Sequence, residues 1–215
     1  MNVNKVLEAI ISQYGYDEPI FTKDLKNSTN MTDESLRQNL KRLTDKGNLI
    51  RIRNGIYYVP RANSVLKNPR PNLDKVISRR YIKTIDNNRI GYITGINFAN
   101  QLGLTSQTAS VTTIVTNESG RPEHEVTFGK RIVKLKRPRI KINDRNYRVL
   151  QILDLLNEFN RLSEIPLSKS TSVMKNYLKD VRVTKSELNE YLKKYPRKTL
   201  ENLIETELYY EFAQK

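Results

Sequence analysis

The chain has 215 residues, room for one domain or two modest ones, and 37% of them are hydrophobic with 12 tyrosines present, so a folded core is expected and wholesale disorder is not. Cysteine is absent and histidine occurs once, which excludes a disulfide framework, a thiolate zinc site and a cysteine nucleophile. The formal net charge of +15 calls for an anionic partner such as nucleic acid, whereas no apolar run approaches the ~20 residues that cross a bilayer and the start, MNVNKVLEAI, lacks the pattern of a signal peptide, so a cytoplasmic location without a membrane partner is expected.

Residues 3–13 place Val6, Leu7, Ile10 and Ile11 at helical spacing and stop before Gly15. After Pro19, Ile20-Phe21 reads as a short extended link, and Thr22 is placed to cap a short helix running through Leu25 to Asn27. Residues 32–46 bring Leu36, Leu40 and Leu43 onto one narrow stripe, with Gly47 at the position of a helix C-cap. Two β-rich runs, 48–53 and 56–59, are joined by Asn54-Gly55, a hairpin signal because both residues tolerate positive φ, and Pro60 closes the segment. Helix, short helix, amphipathic helix and hairpin within residues 1–60 is the order of a winged helix-turn-helix. Such a fold serves as a DNA reader or as a protein-interaction module, so the exposed chemistry has to decide.

The face of the third helix turned away from its leucines carries Glu34, Arg37, Gln38, Lys41 and Arg42, with Ser35 on the flank. Arginine forks onto guanine, glutamine bridges adenine, and lysine or serine holds phosphates, so this set suits a major groove. In the hairpin, Arg51 and Arg53 alternate with Ile50 and Ile52 and share the outer face beside Asn54 at the tip, where a wing meets the DNA backbone or minor groove. The alternative is a set of solvated surface charges, and residues 1–60, with 9 Lys/Arg against 7 Asp/Glu, leave room for it. Double-stranded DNA is the preferred partner because the cations fall on the two elements that this geometry brings together; the expected contacts are Ser35, Arg37, Gln38, Lys41, Arg42, Arg51, Arg53 and Asn54.

Residues 61–71, polar, basic and proline-containing, read as a linker. A second domain, 72–215, is expected to open with Asn72 capping a helix that carries Leu73, Val76, Ile77 and Tyr81. Strand-like runs follow at 91–94, 111–116, 125–128 and 132–136, with a short helix at 95–102 between the first two. From Tyr147 the pattern is helical. Val149, Ile152, Leu153, Leu156 and Phe159 line one helix ending near Pro166, and Val173, Met174, Tyr177 and Leu178 line another. Thr184 and Glu187 have capping-box spacing before Leu188, and Leu200, Leu203, Ile204, Leu208 and Phe212 mark a last helix. The expected fold class is α+β, an N-terminal winged helix-turn-helix followed by a mixed α/β domain with a helical tail.

The charge excess concentrates in residues 61–146, where 17 Lys/Arg stand against 6 Asp/Glu. Its densest stretch is 130–141, KRIVKLKRPRIK, and Lys130, Arg131, Lys134, Lys136, Arg137, Arg139 and Lys141 are read as a second basic surface for nucleic acid or an acidic protein. The competing reading is an edge strand whose lysines resist aggregation. His124 lies between Glu123 and Glu125, but adjacent strand residues point to opposite faces, so neither a metal nor a catalytic site is expected there. No phosphate-binding or dinucleotide loop is present, so no cofactor and no enzymatic activity are expected. A nuclease hidden in the second domain would need clustered carboxylates, and the 6 acids of residues 61–146 are scattered.

Three pieces of the chain resemble the AbiEi family of type IV toxin–antitoxin antitoxins: the hairpin Gly55-Ile56-Tyr57-Tyr58-Val59-Pro60, the stretch 93–105 (ITGINFANQLGLT) and the strand Thr112-Thr113-Ile114-Val115-Thr116. The resemblance covers roughly residues 1–160 and rests on short, mostly structural motifs. It implies that the N-terminal winged helix binds operator repeats and represses its own operon. It further implies that the C-terminal domain opposes a nucleotidyltransferase toxin of the AbiEii kind without requiring a stable complex. A stand-alone regulator without a toxin partner is the alternative.

Overall fold

The apolar spacing of the first 60 residues becomes a core. Helix α1 (Val3–Tyr14) buries Val6 and Ile10, α2 (Thr22–Ser28) buries Leu25, and α3 (Asp33–Asp45) buries Leu36, Leu40 and Leu43. These side chains join Ile20, Leu49 and Val59 in one cluster. Each such aliphatic residue removed from water contributes about 1.5–3 kcal/mol before chain entropy is counted. The computed structural model describes residues 3–29, 31–61 and 72–213. Among them the chain is α+β, with eleven helices and two small sheets, and it divides into two units, residues 1–80 and 81–215.

In the first unit, β1 (Ile20–Phe21), β2 (Ile50–Arg53) and β3 (Ile56–Tyr58) form an antiparallel sheet in the order β1-β3-β2. Two local expectations are corrected. Thr22 is the first residue of α2 rather than its cap, which is Phe21; the Thr22 amide and hydroxyl both donate to the Gly55 carbonyl, at 2.9 and 3.3 Å. The hairpin turn has positive φ only at Gly55 (73°), not at Asn54, and the β2–β3 register shifts between Arg51 and Arg53. A bulge thus absorbs the strand twist that a two-residue turn with both positions left-handed would have matched.

Helix α4 (Leu73–Tyr81) is entered through Asn72, whose Oδ1 accepts from the Asp74 amide at 2.9 Å. Lys75 pairs with Glu18, and Arg79 with Asp24 at 3.4 Å. These ties explain why residues up to 80 group with the first unit, although the sequence suggests that this helix opens the second. The expected linker lies, apart from Arg61, outside the described residues.

The second unit is built on a four-stranded mixed sheet of β4 (Gly91–Thr94), β5 (Thr112–Thr116), β6 (Glu123–Phe128) and β7 (Arg131–Lys136), in the order β4-β5-β7-β6. Only β5 and β7 run parallel. Strand β7 is therefore interior, hydrogen-bonded on both sides, and protection of a sheet edge does not account for its lysines. Gly91 permits a close backbone approach. A Cβ there would meet the Tyr81 carbonyl oxygen and come within 2.7 Å of that of Val115. Helix α5 (Ile96–Gln101) follows β4 and buries Phe98 and Ala99.

Helix α6 (Tyr147–Asn157) buries Val149, Leu150, Gln151, Ile152, Leu153, Leu155 and Leu156, far more than one stripe, and is the central helix of this unit. Gln151 is satisfied there by donating to the Ile93 carbonyl at 2.8 Å and accepting from the Tyr177 hydroxyl. The single helix expected to reach Pro166 breaks at Glu158 (φ −117°, ψ 18°) into α6 and α7 (Phe159–Leu162). Four more helices follow: α8 (Leu167–Tyr177), α9 (Lys185–Leu192), α10 (Arg197–Glu205) and α11 (Leu208–Ala213). The expected capping box is formed at α9: Thr184 Oγ1 accepts from the Glu187 amide at 3.2 Å, and the Glu187 carboxylate accepts from the Thr184 amide at 2.9 Å.

Candidate nucleic-acid interface

Helix α3 begins where Thr32 leaves the helical backbone and its hydroxyl accepts from the Ser35 amide at 3.3 Å. Asp33 and Glu34 occupy the first turn, where the helix dipole favours negative charge, and Asp33 also pairs with Lys26 of α2 at 3.0 Å. One side of α3 is clamped by Leu36, Leu40 and Leu43, so the opposite side must face water: Glu34, Arg37, Gln38, Lys41 and Arg42 are all exposed. None of Arg37, Lys41 and Arg42 makes an ion pair among the described residues. The helix therefore offers three unneutralised cations, an amide and a carboxylate on one surface, supplying guanidinium forks, a point charge, and both donors and acceptors for base edges.

Ser35 stands at the edge of that surface. It is half-buried, and its carbonyl accepts from Asn39 Nδ2 at 2.8 Å, with its hydroxyl a longer contact at 3.5 Å. Asn39, at 6% exposure, is the residue that sequence reasoning missed. Its spacing with Leu36, Leu40 and Leu43 already places it on the inner side, and its amide is tolerated there because the backbone one turn earlier accepts from it.

The chain passes from α3 to β2 through Gly47, at φ 73°, and the Asn48 and Leu49 amides both reach back to the Leu43 carbonyl at 2.9 and 3.2 Å. The exposed helix face and the hairpin are thus carried on one core through Leu43 and Leu49. On the hairpin, Arg51 and Arg53 are exposed while Ile50 and Ile52 are half-buried. Arg51 donates to Asn54 Oδ1 at 2.7 Å, which holds its guanidinium at the hairpin tip.

The seven cations of residues 130–141 differ in their surroundings. Lys134 and Lys136 face Glu123 of the neighbouring strand at 3.0 and 3.4 Å. The hydrogen bond from Lys134, aided by Lys136, holds the Glu123 carboxyl below its ordinary pKa. Lys130, in the β6–β7 turn, and Lys141 are exposed, and Arg131 is half-buried. Lys136, Arg137 and Arg139 instead line a pocket of about 570 Å³ within the second unit. At its inner wall, Asp154 accepts from the Tyr92 and Tyr195 hydroxyls at 2.8 and 2.9 Å. Burial raises the Asp154 pKa against the opposing pull of these two hydrogen bonds and of Arg139 and Lys136. Among the described residues, no three or more histidine, aspartate or glutamate side chains are grouped so as to share a metal ion.

Residues 10–180 match a family of unknown function, DUF6088, and since the match takes in most of the chain, the chain belongs to that family. The match starts within α1 and ends after α8, so it includes α3, the hairpin and every residue lining the pocket. No curated protein matches the chain.

Proposed function

We propose that this DUF6088 protein is a DNA-binding transcriptional regulator whose first unit is a winged helix-turn-helix. The observation that carries the reading is the outer face of α3: Arg37, Gln38, Lys41 and Arg42 are exposed together, and their cations make no ion pair among the described residues. The element order α1-β1-α2-α3-β2-β3 supports it, with α3 as the helix that enters the major groove and the β2–β3 hairpin, carrying Arg51, Arg53 and Asn54, as the wing. Ser35 has a lesser part, because its half-buried hydroxyl already faces Asn39. The protein acts by occupying DNA rather than by chemistry on it.

The resemblance to AbiEi extends the proposal. The DNA bound is a set of operator repeats upstream of the protein's own operon, and the second unit opposes a nucleotidyltransferase toxin functionally. A mobility-shift titration of the full chain on its own upstream region, against a random duplex of equal length, tests the regulator. Specific retention that weakens steeply with salt is expected. Equal affinity for the two duplexes would remove the regulatory reading and leave the first unit as an interaction module.

A further inference from the structure

The pocket of the second unit is assembled from distant segments: Thr94, Thr113 and Val115 of the sheet, the start of α5, the end of β7, and α6–α7. Its volume, about 570 Å³, falls within the range of small-molecule sites. Four cations and two carboxylates line it, and they are not equivalent. Arg161 is paired with Glu158, and Lys136 lies between Glu123 and Glu158, at 3.4 and 3.8 Å. Both oxygens of Asp154 are taken by tyrosine hydroxyls.

Arg137 and Arg139 remain, flanking Pro138 just past β7. The Arg137 side chain has no partner among the described residues, while its amide, donating to the Pro122 carbonyl at 2.9 Å, fixes the backbone beneath it. The Arg139 guanidinium lies 5.1 Å from the centre of the Tyr195 ring and gives one nitrogen to the Lys194 carbonyl at 3.1 Å. Its remaining N–H groups are available. Two guanidiniums two residues apart, one of them pre-positioned, suit a multiply charged oxyanion better than a single carboxylate. Elsewhere in the lining, Asn97 Oδ1 is buried and accepts no hydrogen bond among the described residues. The lining also includes apolar Ile96, Ala109 and Val111.

We propose that this pocket binds a phosphorylated small molecule of mononucleotide size, its phosphates on Arg137 and Arg139 and its base or sugar against the apolar lining of Ile96, Ala109 and Val111. The site does not depend on the DNA-binding reading. Calorimetric titration of the full chain with ADP, GDP, CDP and UDP, and separately with pyrophosphate and the parent nucleosides, tests it. At least one diphosphate should bind with 1:1 stoichiometry, and more tightly than either pyrophosphate or its own nucleoside. Arg137→Gln, at an exposed position, should weaken that binding roughly 10- to 100-fold, the loss expected for a charge-assisted hydrogen bond. Val111→Trp, filling the pocket, should abolish it, while Lys41→Ala/Arg42→Ala on α3 should leave it intact. The proposal is overturned if none of the four diphosphates binds, if Arg137→Gln binds as wild type does, or if the α3 variant loses binding. Pyrophosphate binding as tightly as the diphosphate would overturn the mononucleotide assignment.

Discussion

Replacing Lys41 and Arg42 together with alanine probes the proposed DNA interface at its least ambiguous point. Both side chains are exposed, and the core contacts of α3 are made by Leu36, Leu40 and Leu43 instead. Alanine is the best helix former, and the only stabilising feature removed is the favourable placement of Arg42 in the last turn, so the fold should lose less than about 1 kcal/mol. The effect expected on DNA binding is much larger. If each side chain makes one base or phosphate contact worth about 1–3 kcal/mol, the pair accounts for roughly 2–6 kcal/mol, or about 30-fold to 10⁴-fold in affinity. For each phosphate that the variant no longer neutralises, the slope of log K against log salt should also fall by about 0.9. Fluorescence anisotropy on the upstream duplex at several salt concentrations, paired with a thermal melt, separates these effects. Wild-type affinity and salt slope in a variant that melts normally would refute α3 as the reading helix.

Three further outcomes test the fold around the two sites. Gly91→Ala should cost more than about 3 kcal/mol in urea denaturation, since the new Cβ meets the backbone carbonyl oxygens of Tyr81 and Val115, which cannot rotate away; an unchanged midpoint would contradict the close approach of Gly91 to Tyr81 and β5. Asp154 has a folded pKa above its unfolded one, so its contribution to stability is present below the unfolded carboxyl pKa and lost as pH rises through the folded value. Asp154→Asn removes that titration, and its melting temperature should gain on wild type as pH is raised from about 4 to 7; a pH-independent difference would count against the buried carboxylate. Thr184→Ala should cost about 1 kcal/mol by removing the α9 cap, readable in the same denaturation experiment, and no change would mean that α9 is held by packing alone.

The local parts of this fold were legible in the sequence because their signals are local. The leucine spacing of α3 set its buried side, and with it the exposed cations, by helical geometry alone; Thr184 and Glu187 marked a cap by their separation. Asn39 escaped because a polar side chain on an apolar stripe reads as an interruption, although its position on the helix put it inside. The interior place of β7 depends on a parallel pairing with β5 across the intervening β6, which no periodicity encodes. The pocket is less legible still: its lining runs from Thr94 to Leu162, and its buried carboxylate meets tyrosines 62 and 41 residues away. The one local clue was Asp154 itself, an acid between Leu153 and Leu155 in a helix otherwise rich in apolar residues.

Regional charge does not by itself say which cations are paired. Residues 61–146 hold 17 basic against 6 acidic residues; Lys134 and Lys136 face Glu123, Lys75 pairs with Glu18 and Arg79 with Asp24, while Arg137 has no side-chain partner among the described residues. Residues 1–60, nearly balanced at 9 against 7, keep Arg37, Lys41 and Arg42 free of ion pairs among the described residues and on one helix face. Contact with a DNA groove is decided within a few ångströms, and the field of more distant charges is damped over a Debye length of about 10 Å at 0.1 M salt. The arrangement on α3 therefore outweighs the larger regional sum in placing the proposed DNA contact, and the larger sum would act mainly on the rate of encounter with any anion.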